Sequence, residues 1–172
     1  MARVSMNIRE LLRDLGVFEK KINYGIEQVL VEYVTDAVRS LSEATPLGNP
    51  EERDPFSRYY RLYALRQQIE GHRIEGGLAR GNWRVTFRDG VTGVVQQYDK
   101  DPQMTGIRAF ERMDGEYKLG SPIYIINNVK YIGKLREGYS PQTPAGSIDA
   151  VMENYRSLGK YRSIFNAALS GR

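Results

Sequence analysis

Residues 121–146 read S-P-I-Y-I-I-N-N-V-K-Y-I-G-K-L-R-E-G-Y-S-P-Q-T-P-A-G. The order is an apolar strand (Ile123, Tyr124, Ile125, Ile126), an Asn127-Asn128 turn, a return centred on Tyr131, and a Pro/Gly loop that ends at Gly146. Strands are expected over 123–127 and 131–135. Asn127 and Asn128 suit the left-handed backbone of a tight turn, and Tyr131 is expected to pack beside Trp83 across the sheet. Pro141, Pro144 and Gly146 stiffen and then redirect the chain, so the loop has its shape before a neighbour docks, which lowers the ordering cost. Nothing in this order of residues serves bond-making chemistry. It holds a shaped surface, as a part of an assembly does.

Upstream, residues 82–88 alternate Trp83, Val85 and Phe87 with Asn82, Arg84 and Thr86, the period of a half-buried strand. Asp89-Gly90 is a hairpin signal, and residues 91–98 read as the returning strand. Between the two strand regions, Met104, Ile107, Phe110 and Met113 sit three apart and predict a short helix over 101–116 with these residues facing one way. Further back, Ile8, Leu11, Leu12, Leu15, Phe18, Ile22, Ile26, Val29, Leu30, Val34, Val38 and Leu41 recur at three and four, which predicts one long helix over about 7–42. Thr45-Pro46 and Gly48-Asn49-Pro50 stop it, because proline removes a donor and turns its predecessor away from helix.

Asp54 as N-cap with Pro55 in the first turn opens a second helix carrying Tyr59, Leu62, Tyr63, Leu65 and Ile69. Ser147 begins a last helix with Ile148, Val151, Met152, Tyr155 and Leu158. Gly159 precedes a resumption at Ile164, Phe165, Ala168 and Leu169. The expected fold class is α+β: a small, mainly antiparallel sheet of about four strands packed by the long N-terminal helix and the C-terminal helix. The 172 residues suit a single domain with a basic, Tyr-rich helical insertion at about 50–75.

An apolar fraction of 41% with 27% charged residues is globular composition, and no apolar run approaches the ~20 residues of a membrane span. The expectation is a soluble chain, with no membrane partner and no export signal in its first residues. The absence of cysteine excludes disulfides, thiolate metal sites and cysteine nucleophiles together. A net charge of +4 and a pI near 9.3 permit contact with DNA without requiring it.

His72, the single histidine, lies between Gly71 and Arg73 without a nucleophile elbow anywhere in the chain, and reads as a solvated loop residue. Asp99 and Asp101 flank Lys100, but hard cations need more oxygens from a preformed loop, so a charged turn is expected. The glycine-rich run 76–81 precedes a strand, whereas phosphate loops follow one and open a helix; it reads as a flexible joint. No catalytic residue, metal or cofactor is expected. Residues 53–73 hold five arginines, Arg53, Arg58, Arg61, Arg66 and Arg73, interleaved with Tyr59, Tyr60 and Tyr63. Arg58, Arg61 and Arg66 are candidate phosphate contacts of a small nucleic-acid-binding module, the alternative function; the same residues also describe the wet face of an amphipathic helix. Twelve tyrosines against five phenylalanines tilt toward rings with a polar tip, which suit interfaces.

Two blocks together resemble a known family: residues 78–85, L-A-R-G-N-W-R-V, and the stretch from Ile123 to Gly146. They look like the tail-completion or neck proteins of tailed bacteriophages, related to minor tail protein Z of lambdoid phages. The residues that match that family's pattern are Thr45, Pro46, Arg80, Asn82, Trp83, Tyr124, Asn127, Asn128, Tyr131, Leu135, Glu137, Gly138, Ser140, Gln142, Pro144 and Gly146. The chain departs from it in the basic insertion and in Lys130, where relatives often have proline. The resemblance implies a non-enzymatic virion protein, assembled in the host cytoplasm. It would form a homo-oligomeric ring of roughly six or twelve copies at the head-to-tail junction, closed by heterologous contacts. Portal or adaptor and tail proteins would be its partners, with genomic DNA in the channel. Arg136, Glu137, Tyr139 and Gln142, on a loop, are the candidate partner-binding residues. Arg80, Asn82, Trp83, Asn127, Asn128, Tyr131, Gly138, Pro144 and Gly146 form the structural motif. For Asn127, Tyr131 and Trp83 a role inside the domain and a role at an interface are both open.

Overall fold

The computed structural model describes residues 8–48, 76–140 and 142–156. The first element, α1 (Ile8–Ala44), is a single 37-residue helix, as the three-and-four spacing predicts. Its second half enters the core through Val31, Val34, Val38 and Leu41. It ends where Thr45 turns back on it, the Thr45 N–H donating to Ser42 O at 3.2 Å and the Thr45 hydroxyl donating to Leu41 O at 2.7 Å. Two carbonyls orphaned at the helix end are thereby satisfied, and Pro46 prevents continuation.

A four-residue helix, α2 (Leu78–Gly81), leads into β1 (Arg84–Thr86). The partner of β1 is β2 (Tyr124–Ile126), antiparallel, with Val85 opposite Ile125. This corrects the expected hairpin. The Asp89-Gly90 turn is made, with the Asp89 carboxylate accepting from Gly90 N, but residues 91–98 form no strand. Side chains take the backbone groups that a ladder would use. Asn82 donates to Val95 O and accepts from Val95 N, both at 2.9 Å, Asn128 donates to Val91 O and Gly93 O, and Arg84 donates to Gly93 O. Among the described residues the sheet therefore has two strands in place of about four.

The next helix, α3 (Pro102–Glu116), starts at Asp101, whose carboxylate accepts from Gln103 N at 2.9 Å, with proline in the first turn. Its buried face is not the expected one. Met104, Ile107 and Phe110 are 46–47% exposed, whereas Thr105, Gly106, Ala109 and Met113 are buried. A spacing of three slips back by about 60° per step, so four such residues wind half-way round the helix and cannot share a face. The small residues face α1, and a methyl group built on Gly106 would meet Arg39 Cβ at 3.2 Å. That close approach lets α1 and α3 make the most extensive contact between elements among the described residues.

Residues 131–135 are a helix, not a strand: α4 (Ile132–Arg136). The expected left-handed Asn-Asn turn is absent too, since none of the described non-glycine residues has positive φ. Instead the Asn127 side chain accepts from Val129 N at 3.2 Å and Val129 O accepts from Ile132 N at 3.0 Å, which starts a right-handed turn. Ile132 and Leu135, three apart, then reach the core together from one helix face. The last described helix, α5 (Ser147–Arg156), packs on α1 through buried Ile148 and through Tyr155. The Tyr155 hydroxyl donates to the Asp36 carboxylate at 2.8 Å, lies 2.9 Å from the Ser40 hydroxyl, and its ring meets Tyr33 edge-on.

The architecture is α+β, a small antiparallel sheet with helices around a core of Val31, Val34, Val38, Leu41, Trp83, Val85, Ala109, Met113 and Ile148. α3 covers it alongside α1 and α5. The expected helix opening at Asp54 and the continuation beyond Gly159 lie outside the described residues. None of the described helices is long and apolar enough to cross a membrane.

Candidate functional site

The end of α1, α2, the start of β1 and the loop after β2 meet in one hydrogen-bonded network. Thr45 is its centre. Its hydroxyl accepts from the Trp83 indole N–H at 2.8 Å, and its carbonyl accepts from Arg80 Nε at 2.6 Å. Arg80 also donates from Nη1 to Lys100 O at 3.0 Å. Burial pushes the Arg80 guanidinium below its usual pKa, partly opposed by Glu43. Asn82, fully buried, ties Leu78 O to the segment at Val95. Asn127 donates to Ala79 O at 2.8 Å, so the end of β2 is joined to α2. Arg80, Asn82 and Asn127 thereby complete partly buried backbone carbonyls, and Trp83 pairs with the buried Thr45 hydroxyl.

Asp99 is the second node, and here the charged-turn reading needs correction. It is 6% exposed, accepts from the Thr105 hydroxyl at 2.5 Å, and pairs with the Arg108 guanidinium. Thr105 in turn accepts from Ser42 Oγ on α1 at 3.2 Å. A buried carboxylate persists only when paired in this way. Burial lowers the Arg108 pKa, with Glu111 acting the other way. Asp101 spends its carboxylate on the α3 N-cap. Among the described residues no group of three or more His, Asp or Glu is placed to hold a metal ion.

The run 76–81 is likewise no free joint. Gly77 N donates to Leu47 O at 2.6 Å, Asp99 N donates to Gly77 O, and Gly81 lies against the Gln97 backbone.

The loop after α4 is braced at both ends. Tyr139 N donates to Lys134 O, Gly146 N donates to Arg136 O at 2.9 Å, and Ser140 and Thr143 bridge across it. Gly138 sits at φ 84° against Ala145, and Gly146 at φ 78°. Pro144 O accepts both the N–H and the hydroxyl of Ser147, which fixes the start of α5. Of the four candidate partner-binding residues, three hold the loop. Arg136 forms a two-pronged bond to Asp149, Glu137 caps α4 through its backbone, and the Gln142 side chain accepts from Gly48 N at 3.1 Å. Tyr139 is 74% exposed at the loop's crest. Tyr131 is 42% exposed and caps the start of α4 instead of lying on a strand, so the expected packing beside Trp83 across the sheet is corrected.

A cleft of about 880 Å³ runs between β1 and α3, lined by Arg84, Arg88, Arg108 and Arg112 together with Glu111 and Glu116. Three of the arginines are engaged within the chain: Arg84 with Gly93 O, Arg108 with Asp99, and Arg112 with Glu116 at 3.0 Å while 5.9 Å from the Phe87 ring centre. The Thr86 hydroxyl in that lining donates to Arg88 O at 3.3 Å and accepts from Arg88 N at 3.2 Å.

The structure thus gathers Arg80, Asn82, Trp83 and Asn127 around Thr45, links Asn128 to the 91–93 segment, and sets Gly138, Pro144 and Gly146 in a separate loop. Asp99, Thr105 and Arg108 belong to the same network and were missed in sequence. The small residues Thr105, Gly106 and Ala109 were the available signal for the close-packed face of α3. His72, Arg58, Arg61 and Arg66 lie outside the described residues. Comparison of the chain with protein-family models, with curated proteins and with solved structures returns no match.

Proposed function

We propose that this chain is a non-enzymatic structural subunit of tailed-phage virions, a neck or tail-completion component that forms a homo-oligomeric ring at the head-to-tail junction. The observation that supports it is what the motif residues do. Thr45, Arg80, Asn82, Trp83 and Asn127 direct their polar groups inward, onto backbone and one another, and so hold a fixed shape. The second motif block, ending at Gly146, is a loop braced against α4 and α5 that presents Tyr139 to solvent. A rigid frame with a preorganised, displayed loop is what a subunit that docks between neighbours requires.

In this reading portal or adaptor proteins and tail proteins are the neighbours, and the Tyr139 loop is a contact to one of them. Electron microscopy of the purified chain, with mass spectrometry of particles, tests it. Rings together with incorporation into particles are expected. A strictly monomeric protein that is absent from mature particles overturns the reading. So does turnover of a small molecule that disappears on changing one side chain while oligomers persist.

A further inference from the structure

The chain contains two Asp-Gly pairs, Asp89-Gly90 and Asp114-Gly115, and no Asn-Gly pair. The fold treats the two differently. Asp89 and Gly90 are exposed in the turn that leaves β1, and the Gly90 N–H donates to the Asp89 carboxylate at 2.7 Å. No backbone carbonyl among the described residues takes that N–H. Gly90 has φ 69°, and a Cβ built on it would meet nothing within 4 Å, so its nitrogen lies beside the carboxyl with no side chain in the way. Asp114 and Gly115 are exposed as well but lie inside α3, where the Gly115 N–H belongs to the ladder of bonds running four residues back.

We propose that Asp89-Gly90 is a site of spontaneous backbone isomerisation, and that its product unlatches the segment after β1. The Gly90 nitrogen attacks Cγ of the Asp89 side chain in its acid form. A C–N bond forms, the carboxyl C–OH bond breaks, and the hydroxyl leaves with the amide proton as water, closing a five-membered succinimide. Water then adds to either ring carbonyl. Opening at Cγ restores aspartate, whereas opening at the former peptide carbon leaves an isoaspartyl link, whose backbone runs through Cβ and Cγ and is one atom longer. The net charge is unchanged, since one carboxylate replaces another. No oxidant, metal or partner enters; the fold contributes by holding the reacting groups together. At Asp114 the same closure would first have to break the helix bond of Gly115 and turn ψ out of the helical range.

The consequence falls on the next residues. Segment 91–95 is latched by side chains, with Val91 O accepting from Asn128, Gly93 O accepting from Asn128 and Arg84, and Val95 N donating to Asn82. An extra backbone atom at 89 moves these groups off their partners. The inference stands on the chain's own chemistry and does not depend on the ring reading.

Folded protein aged for weeks at neutral pH and physiological temperature, in water enriched in oxygen-18, tests it by peptide mapping. Isoaspartate carrying one heavy oxygen is expected at residue 89, in about tenfold or greater excess over residue 114. Methyl transfer by an isoaspartyl methyltransferase should report the same ratio, and in urea, where neither pair is held, the two sites should converge. The isomerised fraction should exchange the Val95 amide about tenfold faster than fresh protein. Aged Asp89→Glu protein, whose ring would need six members, should show neither change. Equal conversion at 89 and 114 in the folded protein, an excess at 89 that persists in urea, or conversion at 89 without heavy oxygen overturns the assignment. Unaltered Val95 exchange in the isomerised protein overturns the unlatching.

Discussion

The indole N–H of Trp83 donates to the Thr45 hydroxyl across 2.8 Å, and the same hydroxyl donates onward to Leu41 O. One oxygen atom thereby closes the end of α1 and orients the ring that anchors β1 in the core. Thr45 is fully buried, so no water replaces it. Replacing Thr45 with valine keeps the shape and strands the indole donor and the helix carbonyl, which should cost about 1–3 kcal/mol. Thr45→Ser should recover most of that. Urea denaturation followed by Trp83 fluorescence measures both, and a valine variant as stable as wild type would mean the bond contributes nothing.

Asp99 is buried between Arg108 and Thr105. Asp99→Ala leaves the half-buried Arg108 guanidinium and the buried Thr105 hydroxyl without their shared acceptor and should destabilise by about 1–3 kcal/mol, since Arg108 keeps some access to solvent. Asp99→Ala/Arg108→Met should recover part of the loss, since an apolar pair leaves no charge behind. Thermal melts of the three proteins decide it.

The α1–α3 packing makes a contrasting pair of predictions. Gly106→Val should destabilise by about 1–3 kcal/mol, because Arg39 Cβ sits on a helix that cannot recede. Met104→Ala and Ile107→Ala, on the exposed face, should each fall within about 0.5 kcal/mol of wild type. Equal effects at 104 and 106 would reverse the assignment of the buried face.

Gly138 and Gly146 both have positive φ, but only Gly138 is crowded: an added Cβ would meet Ala145 Cβ at 2.7 Å. Gly146 has open space. Gly138→Ala should therefore cost more than the ~1 kcal/mol of left-handed strain expected for Gly146→Ala. Amide exchange at Tyr139 and Gly146 offers a local readout. Tyr139→Ala, by contrast, should leave stability unchanged and lower incorporation into particles.

Burial, reinforced by Tyr155, raises the Tyr33 pKa above its usual value near 10. The folded protein then keeps the phenol proton after the unfolded chain has lost it. The stabilisation is complete below pH 10 and is lost as pH rises through the folded-state pKa. Wild type should lose stability more steeply than Tyr33→Phe as pH rises above about 10. Parallel slopes in urea titrations would exclude the effect.

What was legible in sequence depended on the range of the signal. α1 was readable because an apolar period sustained from Ile8 to Leu41 admits one explanation. The helix over 101–116 was expected from a spacing of three that does not share a face, while the local signal that starts it, Asp101 as cap with Pro102 in the first turn, went unused. The partner of β1 was not legible, because strand choice is settled between segments about forty residues apart, and Asn82, Asn128 and Arg84 replace a backbone ladder with side-chain bonds that leave no periodic trace. α4 spans five residues, too few to distinguish a period of two from one of three and six-tenths. At the site, Trp83 and the asparagines stood out by type, whereas Asp99 passed as an ordinary turn residue because its partners, Thr105 and Arg108, come together only when α3 is docked.

A helix gripped along its second half and exposed at most of its described side chains from Leu12 to Lys21 is a lever. From Ile8 to Lys21 it extends about 20 Å, so a tilt of 10° at the point where burial begins sweeps the tip through roughly 3 Å. Small rearrangements around Thr45, Asp99 and Arg108 would be magnified at the far end, and a disturbance arriving at Leu12 or Leu15 would be felt as torque on Trp83.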